Sequence, residues 1–147
     1  MQVQFINNEE EWQHARHIRT EVFVKEQHVP LEDEFDEYDL PDAECKHILV
    51  FYNGEPAGTG RIRPYGNAGK LERICVLAPY RQYGLGRVII STLEEIAVKE
   101  GRGRVLLHGQ TQAEGFYHKL GYHTDSEVFM EDGIPHVLLT KELRQFA

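Results

Sequence analysis

The stretch that decides the fold runs Lys70-Leu71-Glu72-Arg73-Ile74-Cys75-Val76-Leu77, through Pro79, into Arg81-Gln82-Tyr83-Gly84-Leu85-Gly86-Arg87. Its first part is an apolar, strand-like run that Pro79 breaks. Beyond the glycines, Leu85, Ile89, Leu93 and Ile96 recur on one side at helical spacing, so a helix continues to Glu100. A helix start leaves backbone N–H groups unpaired, and the macrodipole favours an anion there. Gly84 and Gly86 carry no Cβ, so a phosphate can come close to the main chain. Arg81 and Arg87 flank the turn with charge-assisted donors. Residues 81–87, with Gln82, Tyr83 and Leu85 contributing main chain, therefore read as a diphosphate cradle. The string Gly-x-x-x-x-Gly-Lys-Ser/Thr is absent, and position 89 is Ile where a dinucleotide fingerprint needs its third glycine.

What remains, Arg-x-x-Gly-x-Gly between a strand and a helix, resembles the acyl-CoA-binding motif of the GNAT superfamily of N-acetyltransferases. Farther on, Gln110-Thr111-Gln112-Ala113-Glu114-Gly115-Phe116-Tyr117-His118-Lys119-Leu120-Gly121-Tyr122 resembles that superfamily's second signature. Two motifs in this order, one strand's length apart, are far more specific than either alone. The segment Ile18 to Asp36 and Gly133-Ile134-Pro135-His136 further resemble a subgroup of small stand-alone bacterial GNAT proteins of undefined substrate.

The resemblance implies transfer of an acetyl group from acetyl-CoA to a primary amine of a small molecule or peptide. The attack would be direct, in a ternary complex, without an acyl-enzyme. In the family the pantetheine arm adds to the edge of the strand before the turn, which makes Ile74, Cys75 and Val76 its main-chain partners. A bulge there would free an N–H for the thioester carbonyl, and Val76 is the first candidate. Tyr117 matches the tyrosine that protonates the departing sulfur; the competing reading is a core aromatic. Gln110 stands where many relatives place a cofactor-facing asparagine. Glu72 lies where some relatives supply a general base, and it reads equally as a strand carboxylate paired with a nearby Lys or Arg. His108 and His136 are candidates for touching the acceptor. A sensor or interaction module that binds acyl-CoA without turnover is the alternative.

Composition agrees with a soluble globular chain. Its 147 residues fit one domain, expected to span 1–147, with a core that needs no staples. There is no apolar leader and no stretch near the length of a membrane span, so a cytoplasmic location is expected. Cys45 and Cys75 lack Cys-x-x-Cys spacing, and neither they nor the eight histidines suggest a metal site. The net charge is −8, and Glu32 to Glu44 alone holds eight acidic residues and no Lys or Arg. With no basic stripe, nucleic acid is not an expected partner. The acidic run reads either as a solvated segment or as a negative rim, through Glu32 and Glu34, that attracts a cationic amine. Association as a monomer or homodimer is expected.

The remaining pattern gives strands at Gln2–Ile6, Lys46–Tyr52, Glu55–Tyr65, Arg104–His108, Tyr122–Met130 and Ile134–Lys141. Helices are predicted after a cap at Asn7 or Asn8, over Leu31–Asp39 and over Thr111–Leu120. Asn53-Gly54 marks a hairpin. The order is β-α-α-β-β-β-α-β-α-β-β, an α/β fold with a GNAT-like mixed, mostly antiparallel sheet and helices on both faces.

Overall fold

The computed structural model describes residues 1–143; the last four residues of the expected domain lie outside them. Asn53 and Gly54 both take left-handed backbone, with φ of 51° and 82°. This is the two-residue turn whose twist suits a hairpin. It joins β2 (Lys46–Tyr52) to β3 (Glu55–Tyr65), with Tyr52 opposite Glu55. β1 (Gln2–Phe5) pairs outside β2, and β4 (Ala68–Val76) continues the antiparallel series on the other side. Helix α3 (Leu85–Lys99) then crosses to β5 (Arg104–Gln110), which pairs parallel to β4. After α4 (Glu114–Lys119), the chain closes with β6 (His123–Thr124), β7 (Phe129–Glu131) and β8 (Ile134–Glu142). The sheet order is β1-β2-β3-β4-β5-β8-β6, with β7 also on β8.

Both faces are covered, as expected. On one, Leu85, Ile89, Ile90, Leu93, Ile96 and Ala97 of α3 bury against Ile48, Val50, Ala57, Ile62 and Leu71. A Cβ at Gly60 would lie 2.7 Å from Ile89 Cγ2, so glycine lets α3 settle directly on β3. On the other, Ala15, Ile18 and Val22 pack on Leu49 and Cys75. They come from α1 (Glu9–Arg19), which Asn8 caps by accepting from Glu11 N–H, and from the π-helical turn Thr20–Glu26 that extends it. That wider turn carries Glu26 and Gln27 to the rim of the site.

Two predicted elements are broken. The helix expected over Leu31–Asp39 is α2 (Leu31–Glu34) plus a 3₁₀ turn at Glu37–Asp39. Asp36 is extended and caps the second turn, accepting from Tyr38 N–H. The strand expected over Tyr122–Met130 parts into β6 and β7. Between them Ser126 Oγ accepts from Leu138 N–H at 2.8 Å, so a side chain replaces a ladder partner.

Candidate active site

The site begins where two strands part. β4 and β5 pair only at Gly69–Val105, Lys70–Leu106 and Leu71–Leu107, and beyond Leu71 and Leu107 the ladder ends. The opening is a cleft of about 300 Å³ lined by Glu72 to Val76 on one side and Leu107 to Gln110 on the other. Parallel strands that stop pairing leave main-chain groups free along both inner edges.

β4 is also bulged here. Thr59 pairs with Cys75 but Arg61 pairs with Glu72, so Arg73 and Ile74 together face the single Gly60. Arg73 is left-handed, with φ of 56°. Past the bulge, Leu77 N–H bonds back to Ala57 O in the sheet. Alternation therefore turns the main chain of Val76 toward the cleft, with Ile74 two residues deeper, at the bulge. The Val76 carbonyl is engaged by Arg81 Nε at 2.9 Å.

At the mouth, Gly84 takes φ of 76° and ends the turn that opens α3, with no side chain capping it. The N–H groups of Leu85, Gly86 and Arg87 precede the first intrahelical bond, Val88 N–H to Gly84 O. Gln82, Tyr83 and Arg87 are exposed around them. A Cβ at Gly86 would touch only the Phe116 ring, at 3.4 Å. Arg81 differs from a free phosphate ligand: besides Val76 O, it reaches Glu26 Oε1 at 2.8 Å and ties the π-helical turn to the end of β4.

Tyr117 lines the cleft from α4. It is buried, and its ring meets those of Phe116 and Tyr122 edge-on. Its hydroxyl has no hydrogen-bond partner among the described residues, and no buried side-chain polar atom among them is left unsatisfied, so the group opens to the cleft. Burial pushes its pKa up to about 12. Gln110, also on the cleft wall, donates to Gln27 Oε1 at 2.8 Å and bridges β5 to the π-helical turn. Cys75 is a free thiol whose pKa burial pushes far above the ordinary range, so it is not a nucleophile at neutral pH.

The carboxylates behave differently from the sequence reading. Arg19 and Arg61 are both about 1 % exposed, and the acidic segment folds inward onto them. Arg19 binds Glu34 and Asp39, while Arg61 binds Asp36, Asp39 and Glu72. Arg73 closes the network on Glu34 and Asp36. Glu34 is thus a buried anchor and not a rim carboxylate; burial raises its pKa against the pull of Arg73 and Arg19. Glu32 is exposed, away from the cleft lining. Glu72 takes contacts from Arg61, Arg63 and Lys70 at 2.9 to 3.2 Å. Burial would raise its pKa, but the Arg63 hydrogen bond and the charges of Arg61, Lys70 and Arg63 hold it at about 2. A carboxylate so stabilised is a weak proton acceptor. Its surroundings match the ion-paired reading and not the general-base one.

The two candidate acceptor histidines do come together, around a residue the sequence reading missed. His108 Nδ1 lies 2.8 Å from Glu131 Oε1, and His136 Nε2 lies 3.7 Å from Glu131 Oε2. All three line the cleft. In the sequence, Glu131 stands next to Asp132-Gly133, a turn dipeptide between two predicted strands. Strand parity could have found it, because a two-residue turn places Glu131 opposite Ile134 and on the face of His136. No group of three His, Cys, Asp or Glu among the described residues is placed to hold a metal, and no helix among them is long and apolar enough to cross a membrane.

Known proteins resemble this chain over nearly its whole length. The chain is 55% identical over 143 residues to the uncharacterized protein YyaT of Bacillus subtilis, covering 97% of each chain. It is 44% identical to the uncharacterized N-acetyltransferase YjcF of the same organism, covering 97% of this chain and all of that one. The crystal structure of Escherichia coli ElaA superposes with a TM-score of 0.85 at 26% identity, over 96% of this chain and 99% of that one. Residues 6–143 match the acetyltransferase (GNAT) domain, so the parted strands, the bulge and the open helix start are those of a member of the GNAT acetyltransferase family.

Proposed function

We propose that the protein transfers the acetyl group of acetyl-CoA to a primary amine of a small molecule or peptide, by direct attack while both substrates are bound. The observation that carries this reading is the cleft between β4 and β5, which ends at the uncapped start of α3. The diphosphate would lie on the N–H groups of residues 85–87, where partial positive charge is already fixed. The pantetheine would lie along the free edge of Ile74 to Val76 and extend the sheet.

In this reading the bulge positions the electrophile. Of the N–H groups of Ile74 and Val76, one would serve a pantetheine amide and the other the acyl oxygen as it gains charge. Ile74, deeper and at the bulge, suits the acyl oxygen; Val76 suits the amide. A preorganised donor of this kind is worth about 10²–10³ in rate. Tyr117, protonated at neutral pH, is the donor to the leaving sulfur. Giving a proton from about 12 to an alkyl thiolate of ordinary basicity, about 8.5, runs uphill by about 5 kcal/mol. Donation must therefore coincide with C–S cleavage and with return of a proton from the new amide nitrogen. The inert Cys75 thiol supports attack without an acyl-enzyme.

The test is binding followed by turnover. Acetyl-CoA and coenzyme A should both raise the thermal midpoint, since each binds only the native state. A screen of primary amines, read by thiol release, should then return acceptors. No midpoint shift with either ligand would refute the reading.

A further inference from the structure

Resting on that reading, we propose that His108 is the proton acceptor for the incoming ammonium, with Glu131 as the positioning residue that fixes its tautomer. The need is chemical. An alkylamine titrates at about 10.4, so fewer than about one molecule in a thousand is neutral at pH 7. Glu72, the carboxylate closest in sequence to the bulge, is neutralised by three cations and does not meet that need.

His108 is the first residue of β5 beyond the last pair with β4, so it stands at the vertex of the cleft, across from the bulge. It also lines an adjoining charged pocket of about 290 Å³ bounded by Asp33, Asp36, Arg63 and Lys70. It is thus common to the donor cleft and to the space from which an acceptor would arrive. Its Nδ1 faces Glu131, which as a carboxylate only accepts, so in the neutral imidazole Nδ1 carries the proton and Nε2 the lone pair. Nε2 has no partner among the described residues. The ring is held edge-on by Phe129 at 5.0 Å, and Phe129 stacks on His136. His136 is itself fixed through Nδ1 to Ile134 O at 2.7 Å. The Asp132-Gly133 turn, with φ of 53° and 74°, sets Glu131 on this face.

The charged groups around His108 come from five parts of the fold. The β7–β8 turn gives Glu131 and Asp132, and β8 gives His136. β4 gives Lys70, Glu72 and Arg73, and β3 gives Arg61 and Arg63; all five are ion-paired. The α2 side gives Asp33, and Asp36 beyond it is bound to Arg61. Glu131 is the one that touches the imidazole.

The ammonium gives one proton to His108 Nε2, and the freed lone pair forms the C–N bond while the carbonyl π pair moves to oxygen. The oxygen pair returns, the C–S bond breaks, and sulfur takes the Tyr117 proton. The nitrogen's second surplus proton restores Tyr117, and His108 releases its own to solvent. The products are an amide, a thiol and one proton.

Two measurements test this. In the coenzyme A complex, ¹⁵N-detected imidazole spectra should show neutral His108 as the Nδ1–H tautomer, and Glu131→Ala, which removes the acceptor facing Nδ1, should mix the two tautomers. With n-propylamine at high concentration as acceptor, His108→Asn should cut kcat about 10²–10³-fold at pH 7 and abolish the acid limb of the rate profile. Calorimetric affinity for coenzyme A should stay unchanged, which also shows that the variant folds. An Nε2–H tautomer, a tautomer that Glu131→Ala leaves unmixed, or an acid limb that survives His108→Asn overturns the proposal. Absence of coenzyme A binding by the unaltered protein overturns the transfer reading instead.

Discussion

Glu72→Gln separates the two roles a carboxylate beside the bulge could have. The substitution keeps the shape of the side chain and removes its charge, leaving Arg61, Arg63 and Lys70 with one anion fewer. Glu72 is held at about 2 against an ordinary 4.5, and its side chain is only 11 % exposed, so little solvent screening intervenes. That difference is worth about 3 kcal/mol at pH 7. The sign follows from a lowered folded-state pKa. The contribution is complete above the unfolded value and fades as pH falls toward 2, with roughly half left near pH 3.

Urea unfolding of both proteins from pH 7 to pH 3 would read this directly. The unaltered protein should be more stable by about 3 kcal/mol at neutral pH, equivalent to roughly 6–12 °C in Tm. The gap should narrow on acidification. Asp39 loses its own contribution over the same range in both proteins, being held at about 2 although burial would raise it, because Arg19 and Arg61 outweigh burial. Because Asp39 and Glu72 share Arg61, part of the Asp39 contribution stays in the difference and adds to the narrowing. Glu34, with a raised pKa, acts in the opposite sense. A Glu72→Gln protein of unaltered stability that binds coenzyme A and transfers no acetyl would refute the anchor role and restore the general base.

Tyr117→Phe should lower kcat about 10²-fold or more while calorimetry finds coenzyme A affinity unchanged, because only the hydroxyl that opens to the cleft is lost. A rate unaffected by the change would favour a binding module. Cys75→Ala should leave acetyl transfer within about two-fold and cost about 1 kcal/mol in urea unfolding, since a buried, protonated thiol contributes packing. Loss of turnover there would imply an acyl-enzyme. Gly84→Ala should destabilise by about 1 kcal/mol through its left-handed φ of 76° alone, as nothing lies within 4 Å of the added Cβ. It should also weaken coenzyme A binding by tilting the start of α3.

The donor half of the site was legible because its chemistry is local. The turn at residues 81–87 needs glycine where φ is positive, and the Asn53-Gly54 hairpin needs it for the same reason. Such constraints are written into a few adjacent residues. The acidic segment was not legible, because its partners are distant: Arg19 lies 15 residues from Glu34, and Arg61 lies 25 from Asp36. A run of carboxylates looks solvated until the sheet brings buried guanidinium groups beneath it. Glu131 fell between these cases. Its dipeptide Asp132-Gly133 announced the turn, but only the register of β7 on β8 and of β8 on β5 shows that Glu131 and His108 share a face.

The buried ion network and the catalytic cleft meet in one residue. Arg73 occupies a left-handed conformation that costs an ordinary side chain roughly 1–2 kcal/mol. Its guanidinium reaches Glu34 O at 3.3 Å and the Glu34 carboxylate at 3.1 Å. Those contacts hold the bulged backbone where a regular strand would otherwise be favoured, and Glu34 is in turn fixed by Arg19 from α1. The bulge decides which way the Ile74 N–H points, and hence where an acyl oxygen could be stabilised. Within the proposed transfer, Glu34 would act on catalysis through Arg73, by offsetting the backbone strain at the bulge. The signature of that role is in kcat, because a misdirected N–H weakens the transition state, whereas a rim that attracted cations would appear in the acceptor KM and its salt dependence.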